Sequence, residues 1–316
     1  MKHPEFPPPH TPFFLRNGHA DTLFAKTLQS APPSYRRELL PDSTGQAQVA
    51  YDFIDGTRAD APLMVLFHGL EGSSRSHYAV EMMKAVQEKG WHGVVAHFRS
   101  CGGVESTAPV FYHSGDSREI GFMLDTLAAR YPKIYAAGIS LGGNALAKYL
   151  GEQGSRAVPA AAAVISAPVD LAAAGSRFDR GSTRLIYTRY FLNSLIPKAK
   201  ATGFNTGRLK TCKTLADFDD AFTAPLHGFA DHHDYYRRAS SKPLLPEVAA
   251  PLLLLNAVND PFLPPAALPS AQDVSRSVTL LQPPTGGHVG FVGRDTGGLN
   301  IRWLPQTVLR YFEQFE

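Results

Sequence analysis

Three residues carry side chains that can do covalent chemistry together: Ser140, Asp260 and His288. A serine hydroxyl is a poor nucleophile unless a base removes its proton. Imidazole is a suitable base near neutral pH, and a carboxylate can fix its tautomer. Ser140 lies in Gly138-Ile139-Ser140-Leu141-Gly142, a G-x-S-x-G pattern between an apolar run and a helical one. Such a strand-to-helix turn lifts the serine clear of a sheet. Close approach of neighbouring backbone would leave room only for glycine on either side, and the helix N-terminus below would stabilise developing negative charge. A serine at this position is also an ordinary N-cap. His288 sits in PTGGHVGF, just past the apolar run SVTLLQ, where flanking glycines suit a loop that presents an imidazole. Asp260 ends the apolar run in LLLLNAVNDPF. In open α/β sheets the carboxyl edge of the strands is where catalytic groups gather. Asp before Pro is also a common turn former. Asp273 and Asp295 are alternative acids, but neither directly follows a strand.

An acyl-transfer reaction would also need donors for an oxyanion. The backbone N–H of Leu141, next to the serine, is one expected donor. The other is the N–H of Leu70, in the loop His68-Gly69-Leu70-Glu71-Gly72 after the strand PLMVLF. Glu71 reads as a brace for that loop rather than as an acid catalyst. His232-His233, beside Asp231 and Asp234, read as a solvated helix face, because no matching ligand set occurs elsewhere. Cys101, in HFRSCGG, reads as a small loop residue. There is no G-x-x-x-x-G-K-S/T loop, no H-E-x-x-H, and no G-x-G-x-x-G after a strand. The expectation is therefore no cofactor and no metal.

The elements that must position these groups alternate along the chain. YRRELL and AQVAYDFI flank PDSTG and read as two strands and a turn. Strands then follow at PLMVLF, HGVVAHF, IYAAGIS and AAAAVISAP, separated by helices at HYAVEMMKAVQE, DSREIGFMLDTLAA and LGGNALAKYLGEQ. Asp116 and Glu119 are spaced as a capping pair. The rhythm breaks at residues 170–246 and returns with PLLLLNAVND, SVTLLQPP and the closing helix WLPQTVLRYFEQF. This alternation implies an α/β fold with a mostly parallel central sheet flanked by helices. Residues 1–316 read as a single domain, with 170–246 as an insertion too long for a plain loop. The Pro-rich first forty residues are expected to wrap the surface.

The 316 residues are 44% hydrophobic and carry a net charge of +3, with no block of like charge. Nucleic-acid binding is not expected. Neither a signal peptide nor a membrane span of about 20 apolar residues is legible. The two cysteines cannot form a disulfide framework, which fits a cytoplasmic protein. Nothing in the chain fixes an oligomeric state.

Taken together these segments resemble the YheT-like branch of the α/β-hydrolases, related to the eukaryotic abhydrolase-domain lipases and esterases. The likeness runs through RNGHADTL, LFHGLEGSSRSHYA, GWHGVVAHFRSCGG, YHSGD, GISLGGNALAKYL, FDDAFTAPLHGFADHHDYY, NAVNDPF and GGHVGFVG. It implies an α/β-hydrolase fold with a helical cap between the sixth and seventh strands. It also implies a Ser140-Asp260-His288 triad that hydrolyses small-molecule acyl esters, short-chain or lipid. The thioesterase and acyltransferase reactions use the same machinery, and a non-catalytic binding protein can share the fold. Ala20-Asp21 and Ser100 stand where the family often has Leu-Gln and Gly. Phe178, Tyr187, Tyr190, Phe191, Tyr235 and Tyr236 of the insertion can line an acyl pocket or form its core.

Overall fold

The computed structural model describes residues 6–316. The first described α-helix, α1 (Gly18–Ala25), corrects the expectation for the N-terminal segment. It does not merely wrap the surface, because Asp21, Thr22 and Ala25 on it are buried. The strands β1 (Arg36–Pro41) and β2 (Gln48–Ile54) pair antiparallel across the PDSTG turn. The strand β3 (Leu63–Phe67) is followed by helix α2 (His77–Glu88), then strand β4 (His92–Ala96) and helix α3 (Ser117–Ala128). Strand β5 (Ile134–Ile139) leads directly into α4 (Leu141–Gln153), and β6 (Ala161–Ile165) closes this half. The last two strands are β7 (Leu252–Leu255) and β8 (Val278–Leu281), before a final helix at Trp303–Phe312.

The eight strands form one sheet in the order β1-β2-β4-β3-β5-β6-β7-β8, parallel from β4 to β8. Period-two alternation sends the two sides of β3 to different cores. Leu63, Val65 and Phe67 pack with α3 and α4. Met64 and Leu66 pack with α2 and the final helix. With both faces covered, the central strands read as continuous apolar runs. From β3 the chain moves first to one side, to β4, and then to the other, to β5. Such a reversal opens a crevice beyond the carboxyl ends of the strands. Ser140 and the loop after β3 both lie at this reversal.

Between β6 and β7 the chain is helical or irregular, with helices at Leu171–Phe178, Arg189–Ala201 and His232–Ala239. Two short π-helical turns interrupt it, at Arg184–Thr188 and Asp219–Thr223. A small antiparallel hairpin, Gly293–Asp295 with Gly298–Asn300, follows the His288 loop and was not legible as strand.

Asp116 caps α3 by accepting from the Glu119 N–H at 3.3 Å. Glu119 does not return the bond as a capping box would. Its carboxylate instead meets the Arg99 guanidinium, which also binds Asp42 at 2.5 Å and Asp116 at 2.6 Å. Arg99 is 3% exposed, so removing it would leave three carboxylates in a dry site. Arg99→Ala is expected to destabilise the fold by about 3–5 kcal/mol, read by denaturant unfolding. A loss below about 1 kcal/mol would contradict this reading of the cluster.

Candidate active site

Ser140 alone forms the turn between β5 and α4, with φ 51° and ψ −116°. A side-chain-bearing residue in such a conformation stores about 1–3 kcal/mol, and persists only where its surroundings hold it. Here the Ser140 N–H donates to the Ile165 carbonyl at 2.8 Å, and its carbonyl accepts from the Asn144 N–H at 3.0 Å. The flanking glycines follow from close approach. A Cβ on Gly138 would stand 2.6 Å from the Gly142 oxygen, and one on Gly142 would stand 2.5 Å from the His68 oxygen. The Ser140 hydroxyl makes no capping bond to α4. It lies instead 2.9 Å from Nε2 of His288.

The other ring nitrogen of His288, Nδ1, lies 2.8 Å from Oδ2 of Asp260. Asp260 is 4% exposed, and its Oδ1 accepts from the Phe262 N–H at 2.8 Å. The Phe262 ring packs on the imidazole, with centroids 4.1 Å apart. The His288 loop is conformationally unusual. Gly286 and Gly287 take positive φ, and so do the β-branched Val289 (59°) and Phe291 (46°). The Val289 carbonyl faces Nε2 of His77 at 3.0 Å, and its N–H donates to the Ser166 hydroxyl at 3.3 Å. The His288 N–H donates to the Thr22 hydroxyl of α1 at 2.8 Å. Sequence reasoning missed Thr22, Ser166 and His77, because none carries a motif of its own. For Thr22 the only signal was its place in RNGHADTL.

The loop after β3 commits its amide protons selectively. Gly69 donates to the Tyr78 hydroxyl at 3.0 Å, Glu71 to the Tyr112 hydroxyl at 3.0 Å, and Gly72 to the Gly69 carbonyl at 2.9 Å. Among the described residues, the Leu70 N–H has no protein acceptor. Nor does that of Leu141, the first residue of α4, whose N–H has no partner within the helix. Gly69 packs against the turn at Ser140, where a Cβ would sit 3.2 Å from that of Ser140. Glu71 braces this loop. Its carboxylate accepts from the Tyr112 hydroxyl at 2.7 Å, pairs with Lys198 at 2.7 Å, and accepts from the Ser194 hydroxyl. The last two partners lie on the helix Arg189–Ala201, so the loop is tied to the segment above it.

A cavity of about 430 Å³ is lined by Ser140, His288, Leu70 and Leu141. Phe178, Tyr187, Tyr190, Phe191, Tyr235 and Tyr236 all line it, and Tyr187, Tyr235 and Tyr236 are also buried. The choice between pocket and core is thus answered by both.

The remaining candidates lie elsewhere. Asp273 accepts from Ser270, and Asp295 sits in the small hairpin 3.7 Å from Arg302. His232 is not a freely solvated group, because its Nδ1 is 2.9 Å from Asp220. Cys101 is buried, and burial pushes its thiol up to about 12, so it is not a ready thiolate. Ser100 has φ 59°, a conformation that glycine adopts at less cost than serine.

Asp21, in contrast, is fully buried behind the His288 loop. Its Oδ1 accepts from the Val292 N–H at 3.1 Å, and its Oδ2 has no partner. Burial raises its carboxyl to about 7, against the single opposing bond from Val292. The folded state therefore holds this proton more tightly than the unfolded chain. Between the ordinary carboxylate range and pH 7 the native state binds more protons, so this group lowers stability as pH rises. Thermal unfolding of Asp21→Asn is expected to lose that part of the pH slope and to exceed the wild type above pH 7. An unchanged slope would assign the carboxyl an ordinary ionisation.

A mostly parallel sheet with this strand order, a serine at a strand-to-helix turn and an imidazole against it define a hydrolase scaffold. The profile of the alpha/beta hydrolase fold family matches residues 62–295. The chain belongs to that family. It is 35% identical to the Escherichia coli protein named "Putative esterase YheT", over 88% of this chain and 85% of that one. It is 30% identical to human Phospholipase ABHD3, over 94% of this chain and 76% of that one. The mouse alpha/beta hydrolase domain-containing protein 10 superposes with a TM-score of 0.58 at 15% identity, over 89% of this chain and 100% of that one. At that identity the likeness is one of fold.

Proposed function

We propose that this protein is a serine hydrolase of carboxylic esters, with Ser140 as nucleophile, His288 as general base and Asp260 as its orienting carboxylate. The observation that carries the reading is the row Ser140–His288–Asp260, with separations of 2.9 Å and 2.8 Å, whose Ser140 and His288 stand on the wall of an apolar cavity. Asp260 accepts from Nδ1–H, which leaves Nε2 free to take the serine proton. Oγ then attacks the acyl carbon, and the Leu70 and Leu141 N–H groups receive the oxyanion. The bond to the alcohol breaks, and His288 returns the proton to the departing oxygen. Water, deprotonated by the same nitrogen, attacks the acyl-enzyme and releases the acid and Ser140. Residues 170–246 act in this reading as a cap over the site within a single domain. The esterase and phospholipase names of the relatives agree with ester hydrolysis. A cytoplasmic location is part of the proposal, and the two free cysteines fit it.

A fluorophosphonate probe tests the reading directly. One adduct per chain is expected on Ser140, and folded protein that stays unlabelled would overturn the proposal. A p-nitrophenyl ester series of rising chain length then measures pocket depth. For a cavity of about 430 Å³, kcat/KM should rise with each methylene and then fall once the acyl chain outgrows it.

A further inference from the structure

Among the side chains lining the cavity, the exposed ones are Lys26, Gln29, Arg75 and Tyr190. They mark its mouth. Lys26 follows α1 and holds its ammonium 5.1 Å from the centre of the Tyr190 ring. Gln29, three residues on, donates from Nε2 to the Arg75 carbonyl at 2.6 Å. That bond ties the Lys26 segment to the Arg75 loop, so both cations flank one opening. Neither belongs to any ion pair among the described residues. Of the two carboxyl groups that line the cavity, Glu71 is paired with Lys198, and Asp219 accepts from the Tyr236 hydroxyl at 3.0 Å while burial raises its carboxyl to about 7. The mouth therefore carries uncompensated positive charge above an apolar interior.

We infer that this mouth is a subsite for an anionic group, phosphate or carboxylate, carried by the alcohol part of the ester. The inference rests on the ester-hydrolysis reading above. In that reaction the acyl group stays on Ser140 while the alcohol departs first. The departing part belongs at the open end and the retained apolar chain inside. The Tyr190 ring attracts the Lys26 ammonium and positions it without neutralising its charge. Arg75 and the Gln29 amide add hydrogen-bond donors of the kind that oxyanions accept.

The test compares three dissolved hexanoate esters of one phenol, bearing a carboxylate, its methyl ester or a trimethylammonium group. Each kcat/KM is divided by the rate of the same ester with hydroxide, which removes intrinsic reactivity. Wild type is expected to favour the anionic ester over the neutral one by roughly tenfold for two exposed charges. The preference should fall as NaCl rises from about 0.05 to 0.5 M. The charge reversal Lys26→Glu with Arg75→Glu should turn the preference toward the trimethylammonium ester, a gain that misfolding cannot produce. The neutral pair Lys26→Gln with Arg75→Gln should abolish it, with thermal unfolding as the check on folding. Equal normalised rates in wild type both among the dissolved esters and between phosphate-bearing and neutral glycerol esters in phosphatidylcholine vesicles, or an anionic preference that survives the reversal, would overturn the subsite. Cleavage of none of the three would overturn the ester-hydrolysis reading itself, and the subsite with it. Preference among dissolved esters assigns a soluble anionic substrate. Preference seen only for phosphate-bearing glycerol esters in phosphatidylcholine vesicles assigns a lipid headgroup.

Discussion

Ser140→Ala is expected to lower kcat toward ester substrates by about 10⁶-fold and to end labelling by fluorophosphonates. The protein should remain folded, because alanine keeps the Cβ that already occupies φ 51°. Residual turnover should still exceed the reaction in water by about 10³–10⁴-fold if the Leu70 and Leu141 amides hold the oxyanion without the nucleophile. A companion variant separates chemistry from strain. Ser140→Gly removes the Cβ, and glycine accepts positive φ freely. It should therefore be inactive yet about 1 kcal/mol more stable than wild type, measured by denaturant unfolding. A Ser140→Gly protein less stable than wild type would remove the strain argument. A Ser140→Ala protein with near-normal turnover would remove the nucleophile.

Asp260→Asn is the second large effect, expected to cost about 10⁴-fold in kcat. The local geometry decides its sign. The Phe262 N–H donates to Oδ1 at 2.8 Å, so the amide oxygen of asparagine keeps that position. The NH₂ must then face Nδ1 of His288, which can only accept it. The imidazole is driven to the tautomer with its proton on Nε2, where it cannot receive the proton of Ser140. Asp260→Glu keeps the charge but displaces the carboxylate, and should recover only part of the loss. Equal kcat values for Asp260→Asn and wild type would move the orienting role to another group. Asp273 and Asp295 are poorly placed for it, being engaged by Ser270 and near Arg302 respectively.

The alternation of apolar runs with amphipathic helices was enough to read a mostly parallel sheet, since strands covered on both faces lose their polar alternation. The spacing of Gly138, Ser140 and Gly142 was also legible, because a collision of backbone with Cβ is a local constraint written in residue type. The order of Ser140, Asp260 and His288 pointed to strand ends on one edge. Their actual convergence is a product of strand order, which brings His288 within 2.9 Å of a serine 148 residues away.

What the sequence determined by itself is therefore whatever depends on neighbours along the chain: periodicity, caps, and glycine where no Cβ fits. The tertiary structure decided the rest. Thr22 lies in a Pro-rich stretch yet holds the His288 amide from 266 residues away. Glu71 joins the loop after β3 to Lys198 and Ser194 on the helix Arg189–Ala201. Glu71, Ser100, Ser140 and Ser166, each just beyond a strand of the same edge, all take positive φ without being glycine. Residue type disfavours that conformation, and only bonds from distant segments make it the lowest in energy. Such bonds close long loops, and no short stretch of sequence records which partner will be found at the far end.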